Sequence, residues 1–408
     1  MTPPASTPLH IAASRAGVDI ADLAIASMSG STSQPNLNSV VAALKSSPQD
    51  TSLDLDALND ISDYWEHVLG FYKPFDSAPR AGTAEVYEHE MPGGQYTNLR
   101  EQANAMGLGH RWREIARTYS EVNQLFGDII KVTPSSKVVG DMCMFLVTRG
   151  IKAADVTKIK PGSIDFPESV IDMLSGGLGQ PDGGWPADVQ KVVLGPNHKI
   201  TTKRPGELAE PIDFDEVAKS LNLQSSIDNQ QSADAIYSHL MYPAVYKEFQ
   251  TSRTRYDDLS KLPTPAFFYG LQIGEEIEVE IDPGKILIIK LISIGEADKQ
   301  GERTLFYELN GMPRESIVTD RSLKSATAVT RQKGDPSNPN HVCAPLPGMV
   351  TEIAVSPGTE VKAGDKLVII EAMKMLTTVS APMDGIIKDI LVKKGVQVDS
   401  DDLLVILE

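Results

Sequence analysis

Two stretches near the C-terminus, APLPGMVTEIAVSPGTEVKAGDKLVIIE (residues 344–371) and APMDGIIKDILVKKGVQVDSDDLLVILE (residues 381–408), align without a gap at a constant offset of 37 residues. An internal duplication of this kind indicates that one structural unit is present twice. Identical pairs include Ala344/Ala381, Pro345/Pro382, Gly348/Gly385, Ile353/Ile390, Val355/Val392, Gly358/Gly395, Val361/Val398, Asp365/Asp402 and Leu367/Leu404.

Each copy has the pattern of a short all-β unit: alternating apolar residues, a glycine turn and a closing apolar run. A single copy cannot bury its apolar face, whereas two copies related by a pseudo-twofold axis can form a small flattened barrel of two sheets. Residues 372–380 must then link the halves. The pattern therefore predicts that Lys374, within the segment Glu-Ala-Met-Lys-Met, lies near an exposed hairpin tip.

This region resembles the biotin carboxyl carrier family, because Ala-Pro-Leu-Pro-Gly-Met is followed by Glu-Ala-Met-Lys-Met. The resemblance implies that biotin is attached covalently to Lys374 by a biotin protein ligase. A solvated surface lysine between two core methionines is the structural alternative. The related lipoyl domains share the duplicated architecture but usually lack the flanking methionines, so biotin is favoured over lipoate.

The composition is that of an ordinary globular protein, with 408 residues, 41% apolar and 23% charged, and it suggests two to four domains. A net charge of −17 argues against nucleic acid and anionic membrane partners, which need clustered Lys and Arg. We expect a cytoplasmic protein, since the sequence shows neither a membrane-spanning apolar run nor a signal peptide. Cys143 and Cys343 lack the spacing of a metal or redox pair and are interpreted as buried, reduced thiols. The histidines form no metal-binding pair, so no metal site is predicted.

The N-terminal part has the pattern of a βα unit of a parallel sheet or barrel, with a helix closed by Gly17, a buried strand over residues 18–24 and a helix over 39–45. A mainly helical region follows. Its amphipathic stretches are residues 55–72, 98–126, 136–149, 166–174, 214–221 and 232–250. Strands are predicted at residues 276–281, 285–294 and 303–309.

Several runs stand out outside the carrier region: Ser-Met-Ser-Gly-Ser-Thr-Ser-Gln-Pro (27–35), Gly-Gly-Gln-Tyr-Thr-Asn-Leu (93–99), Lys-Val-Thr-Pro-Ser-Ser-Lys-Val-Val-Gly (131–140), Leu-Pro-Thr-Pro (262–265) and Glu-Leu-Asn-Gly (308–311). These runs resemble the pyruvate carboxylase family, and their order followed by a biotin carrier domain is specific to it.

The resemblance implies a multidomain fold with partial TIM-barrel, helical, β-rich and flattened all-β parts. The implied parts are a C-terminal remnant of the carboxyltransferase TIM barrel (1–52), a helical carboxylase extension (53–262), a β-rich tetramerisation or allosteric domain (263–320), a linker (321–340) and a biotin carboxyl carrier domain (341–408). In the complete enzyme of this family, the carboxyl group of biotin passes to pyruvate and gives oxaloacetate.

The resemblance also implies partners and cofactors that the complete enzyme uses in addition to this chain. A separate biotin carboxylase domain loads biotin with ATP, Mg and bicarbonate, and the assembly is a homotetramer. The divalent metal site of the carboxyltransferase uses residues that have no counterpart in this sequence. We therefore expect the chain to be a C-terminal portion that is inactive by itself.

Among the candidate catalytic residues, Thr32 matches the threonine that shuttles a proton between pyruvate and biotin in this family. The alternative is that a Ser- and Thr-rich loop before a helix caps backbone amides. The Gly93-Gly94 turn and the run from Lys131 to Lys137 lack the glycines of a phosphate-binding loop, so we predict only a structural turn and a helix N-terminus near Ser135.

Two other functions share much of this sequence evidence. The α subunit of a biotin-dependent oxaloacetate decarboxylase has the same order of carboxyltransferase and carrier but works with a membrane sodium pump. Alternatively, the chain alone is a non-catalytic biotinylated carrier and assembly module. The strands at residues 276–309 and the Glu-Leu-Asn-Gly run favour the carboxylase.

Overall fold

The computed structural model describes residues 6–79, 84–196, 198–223, 230–320, 323, 331–335, 338–372 and 375–408. It divides into two compact units, one formed by Met1–Leu208 with Arg331–Glu408 and the other by Ala209–Thr330. The domain boundaries expected at residues 52, 262, 320 and 340 stay predictions, and most of the linker expected at residues 321–340 lies outside the described residues.

The first unit begins with a helical region in which apolar faces pack together. Its helices are α1 Ser6–Arg15, α2 Leu37–Leu44, α3 Leu55–Tyr72, α4 Val86–His89, α5 Gly93–Ala105, α6 Trp112–Leu125, α7 Ser135–Arg149, α8 Glu168–Ser175, α9 Ala187–Leu194 and α10 Pro205–Leu208. Helix α3 has the bounds predicted from its amphipathic pattern, and Asp54 caps it by accepting hydrogen bonds from the N–H groups of Asp56 and Ala57.

Helix α7 lies at the centre of this region. Residues 138–147 are buried on every side, because almost all of them are apolar, and a helix that is apolar all round can only be stable inside a core. The helix ends at Gly150, whose φ of 67° is the left-handed conformation that glycine adopts without strain. Side chains that complete this core include Leu99, Ile115, Tyr119, Val122, Val170, Leu174 and Val193.

Asp141 is the acidic exception within the buried part of α7, with 1% of its surface exposed. Burial raises the pKa of its carboxyl group, while Lys137 and Ser169 oppose the rise by binding the charged form. The Ser169 hydroxyl donates a hydrogen bond of 2.6 Å to Asp141, and the Lys137 ammonium pairs with the same carboxylate. Because Ser169 belongs to α8, this buried acceptor fixes α8 against α7.

Two of the predicted helices are wrong in their continuity. The stretch at residues 98–126 is divided into α5 and α6, because Gly107, with a φ of 71°, ends the first helix. The stretch at residues 232–250 is divided at Pro243, which begins a new helix because it cannot donate the hydrogen bond needed to continue the old one.

The buried strand predicted at residues 18–24 is also wrong. Val18 and Ile20 are 51% and 82% exposed, and the segment makes one parallel bridge, between Ala24 and Asn36. A parallel strand needs hydrogen-bonded neighbours on its sheet, and within the described residues no neighbouring strand flanks this segment. The adjacent helix prediction is confirmed by α2, and Gly17 has the expected positive φ of 94°.

The second unit has a helical part followed by an antiparallel meander. Its elements are α11 Phe214–Ser220, α12 Gln230–Met241, α13 Pro243–Tyr256, α14 Thr264–Tyr269, β1 Glu276–Asp282, β2 Lys285–Ile294, β3 Glu302–Leu309 and β4 Met312–Thr319. The sheet order is β1-β2-β3-β4, which confirms the three predicted strands. Strand β4 was not predicted, although Asn310-Gly311 between β3 and β4, both with positive φ, is a typical hairpin turn.

The C-terminal part of the first unit consists of two four-stranded antiparallel sheets. Its strands are β5 His341–Cys343, β6 Gly348–Ile353, β7 Glu360–Val361, β8 Lys366–Ala372, β9 Met375–Ser380, β10 Gly385–Ile390, β11 Gln397–Val398 and β12 Leu403–Leu407. One sheet has the order β5-β12-β10-β7 and the other the order β11-β6-β8-β9. Their facing apolar side chains form one core.

The duplication read from the sequence is confirmed by this topology. An offset of 37 residues converts β6 into β10 and β7 into β11, so the order of one sheet is the order of the other in reverse. Strand β7 of the first copy pairs with β10 of the second, and β11 of the second copy pairs with β6 of the first. Each copy therefore completes the sheet of the other.

The duplication repeats a close approach at two equivalent glycines. A Cβ atom on Gly348 would lie 2.6 Å from the carbonyl oxygen of Glu371, and one on Gly385 would lie 3.1 Å from that of Glu408. Both contacts require glycine or a shift of the neighbouring backbone, and the first is much tighter than the second.

We expect Gly348→Ala to destabilise the two-sheet region by about 1–3 kcal/mol, because overpacking against backbone cannot be relieved by a rotamer change. Gly385→Ala should cost clearly less, since its Cβ has more room. Both effects can be measured by unfolding the full chain in urea while NMR signals from buried methyl groups of β8 and β12 are monitored. Equal destabilisation by the two substitutions would contradict this account.

Candidate functional site

The hairpin formed by β8 and β9 leads to the predicted biotinylation site. The antiparallel ladder pairs Ile370 with Thr377 and Glu371 with Leu376, and it ends at the pair Ala372 and Met375. Ile370 and Thr377 are fully buried, so the strands that approach the tip are anchored in the core. Lys374 and Met373 lie outside the described residues.

The arrangement suits a long side chain that carries a group between distant sites. A lysine amine can be acylated, and a ring tethered in this way is delivered at high effective concentration. A hairpin anchored by buried residues on both strands supplies a fixed base for such an arm. The anchored strands on either side of Lys374 are compatible with a biotinyl group there, and the role of Lys374 itself stays a prediction.

Thr32 lies in a compact loop between the bridge at Ala24 and helix α2. The N–H of Ser33 donates to the Gly30 carbonyl at 2.7 Å, and the N–H of Gly30 donates to the Gln34 carbonyl at 2.9 Å. The Ser31 hydroxyl donates to the carbonyl of Pro79. Thr32 is half-buried in this loop.

The capping role that the alternative interpretation gave to this loop is filled by another residue. The side chain of Asn36 accepts a hydrogen bond of 2.9 Å from the N–H of Ser39 and so caps α2. Asn38, the next polar residue, accepts from the N–H of Ala26 at 3.1 Å and donates to Asn59 of α3 at 2.8 Å. These amides hold the loop in place, and the catalytic role of Thr32 is still untested.

The start of α5 packs directly on the Thr32 loop. A Cβ atom on Gly93 would lie 1.9 Å from the carbonyl oxygen of Thr32, whereas one on Gly94 would meet nothing within 4 Å. The turn predicted at this glycine pair is wrong, because both glycines belong to the first turn of α5, which begins at Gly93. The predicted helix N-terminus near Ser135 is confirmed by the start of α7.

His89 is a residue near this site that the sequence did not indicate. It is 2% exposed, and its Nδ1 accepts a hydrogen bond of 2.9 Å from the N–H of Met91. Burial lowers the pKa of His89 to about 4, so the ring is neutral near pH 7 and can serve as this acceptor. His89 thus shapes the turn that delivers Gly93 to the Thr32 loop.

The two thiols and the acidic residues suggest no additional chemistry. Cys143 is buried, as predicted, and burial raises the pKa of its thiol. Cys343 is only half-buried, because β5 lies at the edge of its sheet. Within the described ranges, no three His, Cys, Asp or Glu side chains are grouped so that they could hold a metal ion. In the same part of the chain, no helix is both long and apolar enough to cross a membrane.

We expect Gly93→Ala to destabilise the helical region by about 1–3 kcal/mol, because its new methyl group must displace the backbone of Thr32. The matched control is Gly94→Ala, which should be neutral or stabilise α5 by up to about 1 kcal/mol, since alanine is the better helix former and has free space. Thermal unfolding of both variants measures the difference. Similar melting temperatures would show that the contact with Thr32 is unimportant.

Comparison with known families gives two matches on this chain. Residues 86–290 match the family described as the conserved carboxylase domain, and residues 340–407 match the family described as biotin-requiring enzyme. The second match covers the two-sheet region, including the hairpin of β8 and β9.

Relatives and solved structures match over nearly the whole chain. A pyruvate carboxylase of Bacillus subtilis is 45% identical over 371 residues, which is 91% of this chain and 32% of that protein. Pyruvate carboxylase 1 of Caenorhabditis elegans is 42% identical over 88% of this chain and 30% of its own length. The crystal structure of a complete multifunctional pyruvate carboxylase from Rhizobium etli matches 99% of this chain and 37% of its own, with a TM-score of 0.69 and 44% identity.

This chain spans about a third of the length of the curated relatives that it matches. The conserved carboxylase match extends from the start of α4, through the core around α7, into strand β2 of the second unit. Since that match alone takes in half of the residues, this chain belongs to the conserved carboxylase domain family, with a biotin-requiring domain at its C-terminal end.

Proposed function

We propose that the chain is the C-terminal part of a pyruvate carboxylase, in which Lys374 carries biotin and Thr32 takes part in carboxyl transfer to pyruvate. The observation that carries the proposal is the duplicated two-sheet domain, whose β8–β9 ladder ends at the pair that brackets Lys374. The family match over residues 86–290 and the pyruvate carboxylase relatives support the choice of pyruvate as acceptor.

Biotin attached to Lys374 would supply a ring nitrogen that carries an activated carboxyl group. The residues of this chain would hold the tethered ring, orient it and relay a proton. A lysine arm on an anchored hairpin limits where the ring can reach. The Thr32 hydroxyl can accept a proton at Oγ while it donates its own, so it can relay a proton without a lasting change of charge.

The finer parts of the proposal concern the whole enzyme. Residues 1–52 would be the end of a carboxyltransferase TIM barrel, residues 263–320 a tetramerisation domain, and the two sheets a flattened biotinyl-like barrel. A biotin carboxylase domain would load the carrier with ATP, Mg and bicarbonate, and a biotin protein ligase would modify Lys374. The carboxyltransferase metal would be held outside this chain.

The first test concerns the modified residue. We expect Lys374→Arg to abolish biotinylation when the chain is expressed with a biotin protein ligase, because arginine keeps the charge but offers no amine for acylation. Lys388→Arg, at an exposed lysine of the same domain, is the matched control and should leave avidin binding unchanged. Peptide mapping that found biotin on another lysine, or an unmodified Lys374 in folded protein, would overturn the assignment.

The second test concerns proton relay. In the complete enzyme, we expect Thr32→Ala to reduce carboxyl transfer by about 10²–10⁴-fold while biotin-dependent ATP cleavage continues, since the hydroxyl serves only the second half-reaction. Thr32→Ser should retain much of the transfer rate, and Ser33→Ala, at an exposed position of the same loop, should be neutral. Equal loss of both half-reactions by Thr32→Ala would point to a folding role instead.

A further inference from the structure

The carrier domain, which we define as β5 to β12, touches the helical region through its edge strand. Strand β9 is last in the order β11-β6-β8-β9, so one side of it has no strand partner among the described residues. The N–H of Ser380 donates to Asp165 Oδ2 at 3.2 Å, and the hydroxyl of Thr378 donates to Glu168 Oε1 at 2.6 Å. Two carboxylates of the helical region thus accept from the free edge.

We propose that Asp165 and Glu168 form a docking site on the carboxylase domain for the β9 edge of the chain's own carrier domain. The occupant follows from the chemistry of an edge strand, which presents unpaired N–H donors that need acceptors. Ionised carboxylates are strong acceptors and make hydrogen bonds that are stronger than those between neutral groups. The site therefore recognises strand geometry as well as the Thr378 side chain.

The alternation of side chains along β9 makes this docking compatible with a folded carrier. Thr377 and Val379 are 0% and 6% exposed and point into the core of the carrier domain. Thr378 and Ser380 alternate with them and are half-buried, so they lie on the outer face. Docking can form and release without disturbing the core.

The acceptor side is equally well fixed. Glu168 is the first residue of α8, where the helix dipole favours a negative charge. The next residue, Ser169, is hydrogen-bonded to the buried Asp141 of α7, and Val170 is fully buried. The carboxylates therefore stand on a rigid support, which lowers the entropic cost of the contact.

Arg149 adds an electrostatic link between the two surfaces. Desolvation lowers the pKa of its guanidinium group, while Asp165 of the helical region and Asp401 of the carrier domain act in the opposite direction. Its guanidinium carbon also lies 5.0 Å from the centre of the Phe145 ring, which orients the side chain at the C-terminal end of α7. An acidic group on each surface thus favours the charged form of Arg149.

Docking at β9 has a direct consequence for the tethered arm. Thr378 lies four positions after Lys374 in the sequence, so the docked strand fixes the base from which the arm extends. The few polar contacts are suited to reversible binding, as a carrier that visits more than one site needs. This consequence rests on the proposed carrier function, whereas the docking contact itself does not.

Hydrogen–deuterium exchange of the full chain tests the contact at the Ser380 amide. In the unaltered chain this amide should be protected, because Asp165 is its acceptor. The double variant Asp165→Ala with Glu168→Ala should raise its exchange rate roughly tenfold, which corresponds to the loss of about one net hydrogen bond. Amides of β12 report whether the carrier domain is still folded.

A second pair of variants tests the side-chain contact from the carrier side, where α8 is left intact. Thr378→Val removes the hydroxyl at nearly constant shape and should raise the exchange rate of the Ser380 amide several-fold. Thr378→Ser keeps a hydroxyl at this position and should leave the amide protected. Glu101→Ala, at an exposed carboxylate of α5, is the control and should change nothing.

Free exchange of the Ser380 amide in the unaltered chain would overturn the docking proposal. So would a Ser380 amide that is as well protected in the double variant and in Thr378→Val as in the unaltered chain. Avidin binding of the same samples separates the two proposals. Normal biotinylation with an unprotected Ser380 would reject docking alone, and a protected Ser380 without biotin on Lys374 would reject the carrier function alone.

Discussion

Helix α7 is buried along most of its length, and both surfaces to which we assign functions depend on its position. On one side, α5 packs closely on α7 at Gly140, where a Cβ atom would lie 2.2 Å from Nε2 of the flexible Gln95 side chain and 3.4 Å from Cδ1 of Leu99. On the other side, Asp141 binds Ser169 of α8. One buried segment thus sets the start of α5 against the Thr32 loop and α8 against the carrier domain.

Two of the close approaches at glycine involve backbone atoms of the neighbouring segment. Gly93 approaches the Thr32 carbonyl and Gly348 approaches the Glu371 carbonyl, and neither oxygen can rotate away as a side chain could. A substitution at such a position must move a whole segment, which explains why small changes there should affect more than local packing. The buried Asp141 is a polar counterpart, because burial raises the pKa of its carboxyl group while Lys137 and Ser169 favour the charged form.

Sequence patterns predicted those elements that carry a repeat or a regular alternation of apolar residues. The duplication predicted the two sheets, since each strand and its counterpart carry the same pattern, and the amphipathic stretch of α3 gave its bounds. Apolar residues at 18–24 were misleading because a strand is defined by its neighbours as well as by its own residues. The packing of Gly93 on Thr32, the burial of His89 and the contact between Asp165 and Ser380 join distant segments, and no local pattern records them.

The exchange of β7 and β11 between the two copies has a consequence for how the carrier domain is made. Neither repeat contains a complete sheet, so a chain that stopped after the first repeat would leave β6 and β8 without β11. Conversely, two peptides divided between residues 372 and 375 would each hold two strands that complete a sheet of the other, β5 and β7 in the first peptide and β9 and β11 in the second. The two repeats thus depend on each other for complete sheets, as the fragments of a split protein do. The covalent connection between them acts mainly to raise the effective concentration of one repeat for the other.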